Sequence, residues 1–500
     1  MSTQITVKDV VKLAWPEFFV QMLIVVACIT EMFFIGKIGV VYVAAVSIAC
    51  IVTTLINNFL GECEAGSRTL VAKFFGASDQ DKINKAFLVS IIVPFFVGLI
   101  VAAFSRQISF LAFYMVGSSD VNQIGYAYLN TVLKAVPFSL TFFSLTGFIN
   151  GMGDTLSPFF IRVLMHVANV LIDAVLIFGM FGFPKLGIQG AAIASIFTYF
   201  LGCVLSAFVI FNKQFVAGKI NFNLFKSSFW QNWEVLKEYL KISRNVGFQF
   251  GFCDLAMYFL ALIIERFGVN ALAVHQIVYY QVYSSLQLLI YSFYVACWII
   301  IGKIFGSRDY LGINPAIIKI CKIVSVVALV SVATIIAFSS FLGGFFSPLN
   351  IEVANASSVA IKLLGLNLLV DALYVVISGG LLGADDSRFV MLQGVFSEYL
   401  ILLPLAYIFS VTCGMGLIGV YFAFCFRTVF NLLTVGWRFF VSREWNKVEN
   451  LKPEQQYEPA YFSDYNLQFG LQNLIDEDIF VPTNVFFVEQ PFFKKPRIFR

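Results

Sequence analysis

The chain has 500 residues, of which 59% are hydrophobic and 12% charged, whereas an average soluble domain is about 25% charged. Its 33 Lys and Arg against 29 Asp and Glu leave a net charge of +4, and the mean hydropathy is +0.86. These values exclude a large soluble core, and they exclude a nucleic-acid surface because the basic residues sit in short stretches between apolar runs.

A helix that crosses a bilayer needs about 20 apolar residues. Breaks at Gly, Pro and charge clusters divide the chain into twelve such spans, at about 15–36, 46–71, 86–108, 126–149, 158–181, 188–211, 245–266, 276–301, 316–341, 358–382, 389–411 and 416–440. The expected fold is an all-α polytopic membrane protein. The first apolar run, Trp15 to Ile35, leads into further spans and not into a small-residue cleavage site, so no cleavable signal peptide is expected. Counting basic residues loop by loop gives a strong asymmetry. One set of loops carries Lys8, Lys12, Arg68, Lys73, Lys82, Lys85, Arg162, the cluster from Lys213 to Arg244, Lys303, Arg308, Lys319, Lys322, Arg388, Arg438, Arg443 and Lys447. The other carries Lys37, Arg106, Lys185, Arg266 and Lys362. The positive-inside rule then puts both termini in the cytoplasm.

The chain repeats itself at an offset of about 230 residues. Ala72-Lys-Phe-Phe-Gly-Ala-Ser-Asp79 pairs with Gly302-Lys-Ile-Phe-Gly-Ser-Arg-Asp309. Lys37-Ile-Gly-Val-Val-Tyr-Val-Ala44 pairs with Arg266-Phe-Gly-Val-Asn-Ala-Leu-Ala273, and Gly151-Met-Gly-Asp154 with Gly383-Ala-Asp-Asp386. Two six-helix halves of the same orientation follow, a transporter architecture with a central site between parallel repeats. The expected division is an N-lobe at 1–212, a cytoplasmic linker at 213–243, a C-lobe at 244–445 and a cytoplasmic tail at 446–500. Trp230, Trp233, Leu236 and Leu240 fall near helical spacing, so part of the linker reads as an interfacial amphipathic helix or a solvated connector. The tail is too polar to span, yet rich in Tyr and Phe, which disorder usually lacks. It is expected to dock on the transporter or on a partner.

The fifth span carries the densest polar signal. Arg162, His166, Asn169 and Asp173 are spaced i, i+4, i+7 and i+11, which places all four on one helix face within apolar surroundings. Such a stripe faces a bundle interior or a wet cavity, because a charge at mid-bilayer costs on the order of 2.5–3.5 kcal/mol. The alternative is an Asn–Asp pair that only joins helices. Glu31, Lys134, Asp254, Asp371 and Glu398 are further charges within spans, each needing a partner, neutralisation or cavity water. Carboxylates in a wet cavity can exchange a proton for Na⁺ or for a cationic solute, and oxygen ligands suit hard cations. Other chemistries have little to work with. There are two histidines, His166 and His275, and nine scattered cysteines without metal spacing. No G-x-x-x-x-G-K-[ST] loop appears. No enzyme, no cofactor and no metal beyond a coupling Na⁺ is expected.

These residues resemble the MATE family, the multidrug and toxic compound extrusion transporters. The matching pieces are GMGDTLSP from Gly151 to Pro158, NVLIDAVLIFGMFGFPKLGIQGAAIAS from Asn169 to Ser195, VAKFFGASD from Val71 to Asp79, ALAVHQI from Ala271 to Ile277, IGKIFGSRD from Ile301 to Asp309, and Asp371. The resemblance covers about residues 8–445. It implies twelve helices in two pseudo-symmetric lobes around a central cavity, alternating access, and solute efflux coupled to Na⁺ or H⁺ entry. It implies an N-lobe cation site at Glu31, Asn169, Asp173 and Ser195, where Glu31 and Ser195 stand in for the more usual Asp and Thr. One branch of the family adds acids corresponding to Asp254 and Asp371, although the seventh-helix acid aligns at Cys253, one residue before Asp254. Asn367 stands where an aromatic residue is usual, and Glu62 and Glu64 where small residues are.

The expectation is a monomeric inner-membrane antiporter that exports an organic, cationic or amphipathic solute. Three rivals stand beside it, one being a non-transporting scaffold whose aromatic tail recruits partners. A lipid-linked-saccharide flippase would want a larger, more basic cavity, and an integral-membrane transferase would want His, Asp or Arg clustered at a membrane face.

Overall fold

The computed structural model describes residues 5–114, 119–212, 233–348 and 350–443. Among these residues the secondary structure is helical, and twelve helices are long and apolar enough to cross a membrane. They are α1 (Val7–Gly36), α2 (Val41–Gly76), α3 (Gln80–Ala103), α4 (Ser119–Gly151), α5 (Leu156–Phe178), α6 (Ile188–Asn212), α7 (Trp233–Glu265), α8 (Val269–Gly306), α9 (Tyr310–Phe346), α10 (Ile351–Gly383), α11 (Ser387–Thr412) and α12 (Gly416–Ser442). The first six form an N-lobe and the last six a C-lobe. The chain is an all-α, multi-pass membrane protein of two pseudo-symmetric six-helix lobes. Several helices overrun the expected windows at both ends, α8 and α9 most clearly. Residues 233–243, expected in the linker, form the start of α7, where Val235, Leu236 and Tyr239 are buried. Residues 213–232 of the expected linker and the tail at 446–500 lie outside the described residues.

The repeat seen in the sequence is a repeat of backbone shape. Asp79 caps α3 by accepting from the Lys82 N–H, and Asp309 caps α9 by accepting from the Gly312 N–H. Just before these caps, Ser78 and Arg308 both take positive φ, 52° and 60°. Gly153 and Asp385, after α4 and α10, do the same at 87° and 67°. Left-handed backbone is costly for residues other than Gly, so its recurrence at matching places in both halves marks a shared turn.

The lobes share one apolar core at one end only. That core runs from Val10, Leu70 and Phe148 to Tyr239, Ile301 and Phe305. A second core, around Ile35, Val46, Tyr128, Leu133 and Ile177, is made of N-lobe residues alone. At the shared end the two repeats close on each other reciprocally. A Cβ at Gly76 would collide with the Lys303 carbonyl, and a Cβ at Gly306 with the Lys73 carbonyl. Lys73 Nζ donates to Glu238 Oε1 at 2.5 Å and to Asp385 Oδ2 at 3.1 Å, while Lys303 Nζ donates to the Met152 carbonyl at 2.8 Å. Each lysine, near the end of the second helix of its lobe, thus reaches the turn after the fourth helix of the other. Trp298 Nε1 donates to Thr69 Oγ1 at 2.9 Å, and the Ser144 and Tyr239 hydroxyls meet at 2.9 Å, across the same seam.

Candidate functional site

The N-lobe carboxylates lie away from that seam, toward the end with the separate core. Glu31 sits near the end of α1 and is partly exposed. Tyr128, from α4, donates its hydroxyl to Glu31 Oε1 at 2.8 Å and is 3% exposed. Asp173 of α5 is 1% exposed, and its Oδ1 is buried without a hydrogen-bond partner. The two carboxylates are close enough to feel each other's charge, and Tyr128 feels both. No Lys or Arg is paired with either among the described residues. Asn169, one turn before Asp173, extends its Nδ2 toward Thr198 Oγ1 at 3.4 Å.

The stripe on α5 faces inward as its spacing predicts. Leu164, Val167 and Leu171 form the exposed apolar face, whereas Asp173 is buried and Arg162, His166 and Asn169 are half-buried. The four residues do not form one cluster. The Arg162 guanidinium lies over Phe142 and Phe143, at 5.1 and 5.7 Å from the ring centres. His166 has its Nδ1 buried without a partner. Ser195 turns its hydroxyl back onto the Ala191 carbonyl of its own helix at 3.2 Å. The hydroxyl that Asn169 approaches is Thr198, three residues further along α6. Lys134 is exposed on a 3₁₀ turn and does not enter the site.

The C-lobe polar core is separate, and in it Glu398 Oε2 and Arg427 Nε are also buried without a partner. Asp371 of α10 is 2% exposed, and its Oδ2 accepts from the Tyr283 hydroxyl at 3.0 Å and from Gln287 Nε2 at 2.9 Å. Asn367 Nδ2 donates to the Tyr283 hydroxyl and to Thr428 Oγ1, each at 3.2 Å. Next to Thr428, Arg427 donates through Nη1 to Glu398 Oε1; the two residues are 8% and 4% exposed. Two stretches of π-helix, Gln276–Tyr283 and Ser397–Leu402, carry Tyr283 and Glu398. The wider winding resets the helical phase locally, so a 3.6-residue period does not predict which way these side chains face. Asp254 stands apart from Asp371. It is exposed, and it accepts from Asn58 of α2 across the lobes. Its neighbour Cys253 faces the side of Glu398 and Arg427. His275 is buried and stacked on Tyr279, with ring centres 5.4 Å apart.

Sequence reasoning missed Tyr128, Thr198, Tyr283, Gln287 and Arg427. Arg427 had a signal: it is a charge inside the twelfth span, and Glu398 in the eleventh needs a partner. The others are ordinary residues of apolar helices and gave none. The arrangement brings two carboxylates near each other in the N-lobe with no Lys or Arg paired to them among the described residues, and it holds an ion pair in the C-lobe. Among the described residues, no three His, Cys, Asp or Glu side chains gather as they would for a transition metal.

Comparisons with known proteins agree with this architecture. The MatE family model matches residues 16–175 and 250–408, one stretch in each lobe. Two curated relatives are each named as a probable multidrug resistance protein NorM. The one from Bradyrhizobium diazoefficiens is 25% identical over 84% of this chain and 90% of its own length. The one from Thermotoga maritima is 24% identical over 88% of this chain and 93% of its own. Among solved structures, a MATE protein in the bent conformation aligns with a TM-score of 0.80 at 19% identity, covering 88% of this chain and 96% of that one. An outward-facing multidrug resistance MATE transporter aligns with a TM-score of 0.76 at 20% identity, with the same coverage. With both lobes matched by one family model, the chain belongs to the MatE family of membrane transporters, which are not enzymes.

Proposed function

We propose that this chain is a secondary antiporter of the inner membrane that exports organic cationic or amphipathic solutes by alternating access, driven by Na⁺ or H⁺ entry, with Glu31, Asn169 and Asp173 holding the coupling cation. One observation carries this reading: Glu31 and Asp173 lie within each other's electrostatic reach inside the N-lobe, no basic residue is paired with either, and one Asp173 oxygen is buried without a partner. Two such charges are too costly to keep unless a cation visits them. The ligand set fits either candidate. Carboxylate, amide and hydroxyl oxygens suit Na⁺, and a carboxylate also takes a proton. The residues present would supply Glu31 and Asp173 as the charged ligands and the Asn169 side-chain oxygen as a neutral one, with Tyr128 orienting Glu31.

The solute class follows from the names of the curated relatives, which are multidrug resistance proteins, and from the acidic interior. The direction of opening follows from the loops. The seam between the lobes carries Lys73 and Lys303, part of the basic set, which the positive-inside rule assigns to the cytoplasm. The lobes are then closed inside and parted toward the outside.

The test is uptake of a fluorescent organic cation into proteoliposomes under separately imposed Na⁺ and pH gradients. One of the two gradients should drive transport, and Asp173→Asn should abolish that dependence while inserting normally. Full gradient-driven activity in Asp173→Asn would remove Asp173 from the coupling site.

A further inference from the structure

The acidic clusters of the two lobes differ in their base: Arg427 donates to Glu398, whereas Arg162 of the N-lobe stripe lies over Phe142 and Phe143. The N-lobe holds Glu31 and Asp173 with no paired base. The C-lobe holds Asp371 and Glu398 together with Arg427. Glu398 receives the Arg427 Nη1 hydrogen bond directly. Asp371 lies within electrostatic reach of the same guanidinium, and its Oδ2 is already satisfied by two neutral donors, Tyr283 and Gln287. The Phe424 ring lies under the guanidinium, 5.2 Å away, and Thr428 pins the same turn of α12 to Asn367. An arginine stays charged at every physiological pH and cannot diffuse out.

We propose that Arg427 is the permanently bound cation of the C-lobe: its guanidinium occupies the place beside Glu398 and Asp371 that a mobile Na⁺ or proton would otherwise fill, so the chain couples through the N-lobe alone. This rests on the N-lobe reading given above. It makes Arg427 the residue that sets how many cations move per solute.

The test is the cation-to-solute ratio in proteoliposomes, found from the opposing solute gradient that just halts transport under a fixed Na⁺ or pH gradient. Asp371→Asn is nearly isosteric and should keep the wild-type ratio, whereas Asp173→Asn should lose coupling. Arg427→Met leaves two carboxylates without their base. In detergent its melting temperature should rise with added Na⁺ or with acidification more than that of wild type, while Arg427→Lys should respond as wild type does. A lower ratio in Asp371→Asn would overturn the proposal while leaving the N-lobe reading intact. Coupling retained in Asp173→Asn and lost in Asp371→Asn would overturn both. If Arg427→Met folds and its cation response equals that of wild type, the proposal also fails.

Discussion

A cluster of acidic side chains sits in each of the two lobes of this molecule, and the two clusters differ in their bases. In the N-lobe, Glu31 accepts one hydrogen bond, from Tyr128, and a buried oxygen of Asp173 has no partner. In the C-lobe, Asp371 accepts twice and Glu398 is locked to Arg427. The two halves descend the membrane in the same orientation with the same turns, yet they treat a buried carboxylate differently. What distinguishes the two cases is the counter-charge: Arg427 supplies one to Glu398, and among the described residues no Lys or Arg is paired with Glu31 or Asp173.

The largest expected effect removes a charge from the open pocket. Asp173→Asn halves its formal charge and should weaken cation affinity on the order of a hundredfold, since ligand charge count sets affinity at such sites. Asp371→Asn should leave it near wild type. Sodium-dependent and pH-dependent shifts in melting temperature read both, and equal losses would erase the contrast. Next comes the closed pocket. Arg427→Ala leaves Glu398 buried without its partner and should cost about 3–5 kcal/mol of stability. The double change Arg427→Met with Glu398→Leu should recover most of that, because apolar replacement of a buried pair is often neutral. Thermal unfolding in detergent compares them, and an Arg427→Ala protein as stable as wild type would mean the pair is not held in isolation from solvent.

A smaller effect concerns the seam that both lobes share. Gly76→Ala places a methyl against the Lys303 backbone carbonyl, an overpacking expected to cost about 1–3 kcal/mol. Hydrogen exchange should then quicken in residues 298–306. Gly436→Ala, whose new methyl would meet nothing within 4 Å, is the matched control and should leave exchange unchanged. The smallest effect is Tyr128→Phe. It deletes one hydrogen bond to Glu31, about 1 kcal/mol or roughly fivefold in cation affinity. No change at all would show that Glu31 is oriented by something else.

Much of this fold was legible in advance. Long apolar spans can only be helices in a bilayer, and the twelve spans, the two halves and the repeat around Lys73 and Lys303 all followed from that constraint. Helix ends were less legible. Tyr310–Phe346 and Ile351–Gly383 extend past their apolar windows because polar residues continue the helix outside the hydrocarbon. Residues 233–243, expected in the linker with an amphipathic helix as one reading, are helical, and Glu238, which looks solvated in sequence, pairs with Lys73 across the lobes. Glu31 and Asp173 were visible because charges stand out among apolar residues. Thr198 was not, since the hydroxyl near Asn169 depends on the angle between α5 and α6. Tyr283 and the orientation of Glu398 were hidden by π-helical winding, which no apolar periodicity announces.

The reciprocal seam has a consequence for origin and for motion. Each half presents a lysine and receives the other's, and each presents a glycine flat enough for the other's backbone. That is the isologous geometry of a symmetric homodimer, so a protein of half this length would already carry everything needed to dock on its own twin. Fusing two copies preserves the joint while freeing each interior to specialise. Any parting of the halves at this end would have to break both lysine contacts, not one.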